Sequence, residues 1–116
     1  MITIGDIVNE LGLTVFSGAD KMKKALEGAY ASDLLSDVMG RASRGNVWIT
    51  MQTHRNIVAV ASLKELAAIL LVNGGIPEEE TIDTAEKEGI VLLGTREGSF
   101  ATCGRLYIRM QKNALV

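Results

Sequence analysis

Three polar segments of the 116-residue sequence carry the side chains best suited to chemistry. The first is Gln52-Thr53-His54-Arg55-Asn56, which sets the only histidine beside a guanidinium. The second is Asn73-Gly74-Gly75-Ile76-Pro77 and the third is Thr95-Arg96-Glu97-Gly98-Ser99. Arg55 and Arg96 offer forked donors that match a carboxylate or phosphate. Gly74 and Gly75 allow main chain to approach a ligand closely. Each segment leads into a helix-like stretch, and a helix N-terminus presents unpaired N–H groups and a favourable dipole to an anion. The chemistry implied is recognition of a small anionic or phosphorylated metabolite. The candidate ligand-binding residues are Thr53, His54, Arg55, Asn56, Asn73, Gly74, Gly75 and Arg96.

The same residues admit plainer readings. Asn73-Gly74-Gly75 is also what a strand-to-helix turn needs. Arg55 and Arg96 can be surface ion-pair partners of small energetic weight. His54 in a polar loop can simply be solvated. Trp48 reads as core rather than as a stacking platform, and Met22, Met39, Met51 and Met110 read as core or rim filler. Lys21, Lys23 and Lys24 form a short basic run on a solvated segment.

Catalytic signatures are missing from the sequence. It has no G-x-x-x-x-G-K-[ST] phosphate loop, no G-x-G-x-x-G after a strand and no G-x-S-x-G elbow. One His and one Cys leave most hydrolytic constellations and any Cys/His metal set unavailable, so neither enzyme activity, a metal nor a cofactor is expected. Cys103 shows no sign of activation in its neighbours and reads as a packed helix residue.

The elements that must position the three segments can be read from periodicity. Leu13 to Phe16, Val47 to Met51, Ala68 to Val72 and Ile90 to Leu93 are short apolar runs punctuated by Gly or Asn. Runs without alternation suit strands covered on both faces, as in a parallel sheet. Between them, Ile4, Ile7, Val8 and Leu11 form one helical stripe. Ser32-Asp33 can cap a helix that buries Leu34, Leu35, Val38 and Met39. Pro77 and Glu78-Glu79-Glu80 open a third helix that presents Ile82 and Ala85 and ends at Gly89, and Ser99 opens a last one carrying Leu106 and Met110. The segment 56–66 fits either a strand or a helix. Helix is favoured, because Asn56 is a good N-cap and Lys64-Glu65-Leu66 continues with helix formers. The reading is an α/β domain with helices on both faces of a mostly parallel sheet of about four to five strands, whose carboxyl-end loops converge on one edge.

Composition bounds the remaining options. The length makes one domain, 1–116. Twelve Lys and Arg against 14 Asp and Glu give a net charge of −2, which disfavours nucleic acid as a partner. A chain that is 47% hydrophobic and 22% charged can fold around its own core. The N-terminus lacks a signal peptide's basic and apolar regions. The apolar run ending at Val72 is far shorter than a membrane span, and a lone thiol suits a reducing interior, so a cytoplasmic location is expected.

The chain resembles the DRTGG-domain family over roughly residues 3–110. The resemblance rests on Ala31 to Met39, Val47 to Thr50, His54-Arg55-Asn56, Val72 to Pro77, Ser99-Phe100 and Gly104 to Tyr107. His54-Arg55 stands at the family's Asp-Arg, and Asn73-Gly74-Gly75 at its Thr-Gly-Gly. Arg55, Gly74 and Gly75 match; His54 and Asn73 depart. The resemblance implies a three-layer α/β/α sandwich, similar to the N-terminal domain of HPr kinase/phosphorylase and the first domain of the Mur ligases. It also implies a regulatory, dimer-forming module without catalysis. The alternative it offers is an adaptor subunit of a redox assembly of the iron-hydrogenase type or of another metabolic enzyme.

Overall fold

The computed structural model describes residues 1–114. Helix α1, Ile4–Leu11, buries Ile4, Ile7 and Leu11 and starts with a capping box. The Thr3 hydroxyl accepts the Asp6 N–H at 3.1 Å, and the Asp6 carboxylate accepts the Thr3 N–H at 2.9 Å. These two bonds satisfy donors that a helix start otherwise leaves unpaired. Gly12, at φ +66°, ends the helix in the left-handed region.

Strand β1, Thr14–Ser17, follows, and the chain then crosses the molecule to β2, Ala29–Ala31, by way of a short 3-10 turn at Ala19–Lys21. From there it winds regularly: α2 Leu35–Arg41, β3 Val47–Thr50, α3 Asn56–Leu63, β4 Ala68–Leu71, α4 Glu79–Glu88, β5 Leu92–Gly94 and α5 Ser99–Lys112. The sheet order is β1-β5-β4-β3-β2. Strands β2 to β5 are parallel neighbours in chain order, and β1 pairs antiparallel with β5.

Two hydrophobic clusters explain the layers. Val47, Ile49, Ala68, Leu70, Val72, Val91 and Leu93 face α1 and α5, meeting Ile4, Ile7, Leu106 and Met110. Trp48, Ile69, Leu71 and Leu92 face the other way, meeting Val38 of α2, Ile57, Val58 and Ala61 of α3 and Ala85 of α4. Because β3, β4 and β5 are buried on both faces, their sequences show apolar runs without alternation. The fold is the three-layer α/β/α sandwich expected from the sequence.

Several expectations are corrected. Segment 56–63 is the helix, but Arg55 holds the N-cap position, without a side-chain cap, and Asn56 is the first helical residue. Asp33 does not cap α2; its carboxylate accepts Thr50 Oγ1 at 2.8 Å and the Met51 N–H at 2.7 Å, which anchors the end of β3. Of the four residues assigned to the buried face of α2, only Val38 is fully buried, while Leu34 and Met39 are exposed. Gly98, rather than Ser99, holds the N-cap of α5. Strand β5 begins at Leu92, two residues after the apolar run starts. Strand β2 had no sequence signal, since Ala-Tyr-Ala is short and weakly β-prone. Its register against Val47–Ile49 defines it, and Tyr30 Oη, donating to Asp37 at 2.8 Å, ties it to α2. That hydrogen bond raises the Tyr30 phenol above its ordinary value and lowers the Asp37 carboxyl below its own.

The capping box sets a pH-dependent prediction. Accepting hydrogen bonds from the Thr3 backbone, then from its hydroxyl, holds the Asp6 carboxyl below its ordinary value of 3.8. A carboxyl with a depressed folded-state pKa stabilises above its unfolded value and loses that contribution as pH falls through the folded one. The stability gap between wild type and Asp6→Asn is therefore flat above about pH 5 and closes in more acidic solution. Thr3→Ala costs about 1 kcal/mol at neutral pH, a fall of about 4 °C in Tm. Urea titrations from pH 2.5 to pH 7 check both.

Candidate functional site at the carboxyl edge of the sheet

Parallel pairing puts the exits of β3, β4 and β5 on one edge, and hydrogen bonds join the three segments there. The Asn73 N–H donates to the Glu97 carbonyl at 2.7 Å and the Gly74 N–H to the Thr95 carbonyl at 2.9 Å. The Thr81 hydroxyl donates to the Thr53 carbonyl at 2.9 Å, and Arg55 pairs with Glu80, so the β3 exit is fastened to α4. Positions 54, 74 and 96 thus share one edge. A fourth exit, Ser32 to Leu34 after β2, joins them through Gln52 Nε2, which donates to the Asp33 carbonyl at 3.1 Å.

The residues singled out from sequence have unequal freedom. Asn73 and Gly74 lie in the left-handed region, at φ +63° and +72°, which is why Asn and Gly occupy this turn. Their amides are already donated, and the Gly75 N–H donates to the Val72 carbonyl at 3.2 Å. The turn therefore closes on itself and leaves no amide of 73–75 for a ligand. Arg55 is exposed but engaged with Glu80. His54 is exposed, and its Nδ1 accepts the Asn56 N–H at a long 3.4 Å. Its carbonyl and that of Arg55 take the next two amides of α3, from Ile57 and Val58. Glu78, Glu79 and Glu80 crowd the start of α4, and their charge opposes an anion there. The third helix start differs. At α5 the first bond into the preceding turn runs from the Thr102 N–H to the Gly98 carbonyl, so the amides of Ser99 to Ala101 precede it. Arg96, next to that start, is exposed and has no ion-pair or hydrogen-bond partner among the described residues. No group of three or more metal-ligating side chains is gathered among the described residues.

A cleft of about 340 Å³ opens between the β4 exit and the β1–β5 pair, lined by Thr14, Phe16, Gly74, Gly75, Ile76, Gly94, Thr95 and Arg96. Sequence reasoning missed Thr14, Phe16 and Gly94, because β1 reaches Gly94 only through an antiparallel pairing across the whole chain. A bulge between Val15 and Ser17 leaves Phe16 out of register. Such bulges re-aim side chains. The Phe16 ring here lies across Gly94, where an added Cβ would stand 2.5 Å from its Cε2. Broader hollows of about 700 and 620 Å³ lie at the opposite edge, bordered by Lys21, Lys23, Lys24 and Glu88. They are surface depressions away from the exits of β2 to β5, the larger one following β1, so the smaller cleft is the recess at the shared edge.

The cleft sits where the chain diverges. After β4 it passes to α4 on the face of α2 and α3; after the adjacent β5 it passes to α5 on the face of α1. Adjacent exits that leave for opposite faces open a crevice, where open α/β sheets bind ligands.

The fold is similar to that of a solved structure. It holds the CBS and DRTGG domains of the regulatory region of Clostridium perfringens pyrophosphatase, complexed with the activator diadenosine tetraphosphate. The match has a TM-score of 0.67 and 19% identity and covers 90% of this chain and 45% of that one. The fold is DRTGG-like. The likeness extends over less than half of the pyrophosphatase region, so the activator belongs to that larger unit. No family model matches the chain, and no curated protein sequence does. Within the DRTGG-like fold described here, no helix is long and apolar enough to cross a membrane among the described residues.

Close packing of Phe16 on Gly94 predicts strong coupling between the two. Gly94→Ala alone costs about 1–3 kcal/mol, because the ring must move. In a Phe16→Ala background the same change costs well under 1 kcal/mol. A double-mutant cycle by urea denaturation measures the difference.

Proposed function

We propose that this chain is a regulatory module without catalytic activity that senses a small anionic or phosphorylated metabolite at the β4–β5 crevice and works as a cytoplasmic homodimer. The observation that carries the reading is Arg96. It is a guanidinium with no ion-pair or hydrogen-bond partner among the described residues, at the mouth of a recess and at the divergence of two crossover connections, and it precedes a helix start whose first turn carries no acidic residue. Gly75 and Thr95 supply small and polar neighbours. Thr53, His54, Arg55, Asn56 and Asn73 lie on the same edge outside the lining of the recess, with Arg55 available to an anion only after release from Glu80. The regulatory role of the matching pyrophosphatase region and the family resemblance support sensing and dimerisation.

A second reading is supported by another feature of the same edge. Leu34, Met51, Ile76 and Phe100 are 63%, 49%, 74% and 95% exposed, and each lies in the connection or helix start that follows one of the four parallel strands. Large apolar side chains gathered around one edge favour contact with another protein. This is the adaptor alternative, with a redox or other metabolic enzyme subunit as partner.

Thermal-shift screening of the purified chain against inorganic phosphate and phosphorylated metabolites tests the sensing reading. A ligand at a hundred times its Kd stabilises by about 2.7 kcal/mol. The shift is lost in Arg96→Ala and kept in Arg55→Ala, since Arg55 is occupied by Glu80. No shift with any anion leaves the adaptor reading, and sedimentation at a single chain mass removes the homodimer.

A further inference from the structure

We infer that the β4–β5 crevice takes a flat aromatic ring joined to a phosphate, the chemistry shared by mononucleotides and pyridoxine-type phosphates. The inference rests on the anion-binding reading of the same crevice and adds the other half of the ligand. Three observations carry it. The bulge in β1 turns Phe16 out of the regular ladder and lays its ring over the end of β5. Gly94 beneath it is buried and has no side chain, and any Cβ there would collide with the ring, so Phe16 packs flat on bare main chain and forms an aromatic wall of the recess. Phe16 is half-buried, leaving part of the ring open to the cleft.

A purely anionic ligand has no use for this wall. An aromatic surface costs free energy when left wet, and it is satisfied by another ring or an apolar face. Thr14 and Ile76 line the recess with further apolar contact, while Arg96 and Thr95 supply the polar groups. The ligand's ring therefore rests against the open part of Phe16, and its phosphate reaches Arg96. The volume of about 340 Å³ sits at the small end of the range for ligand clefts, so it holds one ring and one phosphate rather than two nucleosides.

Isothermal titration of the intact chain with adenosine monophosphate, pyridoxine 5′-phosphate and ribose 5-phosphate tests this. Pyridoxine 5′-phosphate has no aldehyde to react with lysine, and ribose 5-phosphate has the anion without the ring. At least one ring-bearing ligand is expected to bind about tenfold or more tightly than ribose 5-phosphate, as a ring stacked on an aromatic side chain would. Which of the two ring-bearing ligands binds distinguishes a nucleotide from a pyridoxine-type phosphate. In Phe16→Ala that preference falls towards one while ribose 5-phosphate binding is unchanged. Should Phe16→Ala unfold, amide and methyl resonances of the wild type give the answer. Thr14 and Gly94 must shift with the ring-bearing ligand and stay still with ribose 5-phosphate. Equal binding of all three ligands overturns the ring inference and leaves the anion reading standing. Binding of none of them overturns both.

Discussion

Burial of the central strands on both faces is the constraint on which everything else rests. Val47 to Thr50, Ala68 to Leu71 and Leu92 to Gly94 are almost wholly out of contact with water. A strand covered above and below must be reached by a crossover long enough to pass over the sheet, and here each crossover is a helix. Repeating that unit three times brings β2, β3, β4 and β5 side by side in one direction. Their exits then have no choice but to meet at a common edge. The gathering of Thr53 to Asn56, Asn73 to Gly75 and Arg96 is a consequence of core formation, before any question of ligand arises.

The same edge shows how stability and binding compete for the same groups. A turn needs its amides satisfied, and the Asn73-Gly74-Gly75 turn satisfies them internally and against Thr95 and Glu97. Asn73 and Gly74 are exposed, so these bonds replace water rather than rescue buried donors, and each adds the modest net gain of an ordinary hydrogen bond. Arg55 follows the same logic by pairing with Glu80, although that exposed pair contributes little to stability. Among the described residues of this edge, Arg96 stays open, together with the first amides of α5. These open donors lie at the β4–β5 divergence, away from the His54–Arg55 segment that carries part of the family resemblance.

Exposed apolar side chains around this mouth and a buried recess inside it are compatible. Ile76 lines the cleft and is also among the most exposed large side chains. A module that senses a metabolite, as proposed, would pass the result to a partner, and apolar side chains next to the crevice would place the two events in one region. The DRTGG-like fold supplies this juxtaposition through topology, since ligand recess and apolar rim both arise from strand exits.

The layer architecture, four of the five strands, all five principal helices and the shared edge were legible in the sequence. They depend on local pattern: β-branched and apolar runs, helical stripes such as Ile4, Ile7 and Leu11, and Gly or Asn at the stops. Strand β2 was not legible, because Ala29-Tyr30-Ala31 becomes a strand only by docking on β3. Phe16 and Gly94 were equally hidden, since their contact joins residues far apart in the chain through one antiparallel pairing and one bulge. The state of each candidate donor was hidden too: Arg55 and Arg96 are the same residue type in similar loops, yet one meets Glu80 and the other does not. Residue types and spacing determine which groups reach the edge, because side-chain periodicity and turn chemistry are local. Which of those groups remain free is decided by tertiary packing, because pairing depends on neighbours that only the folded chain brings within reach.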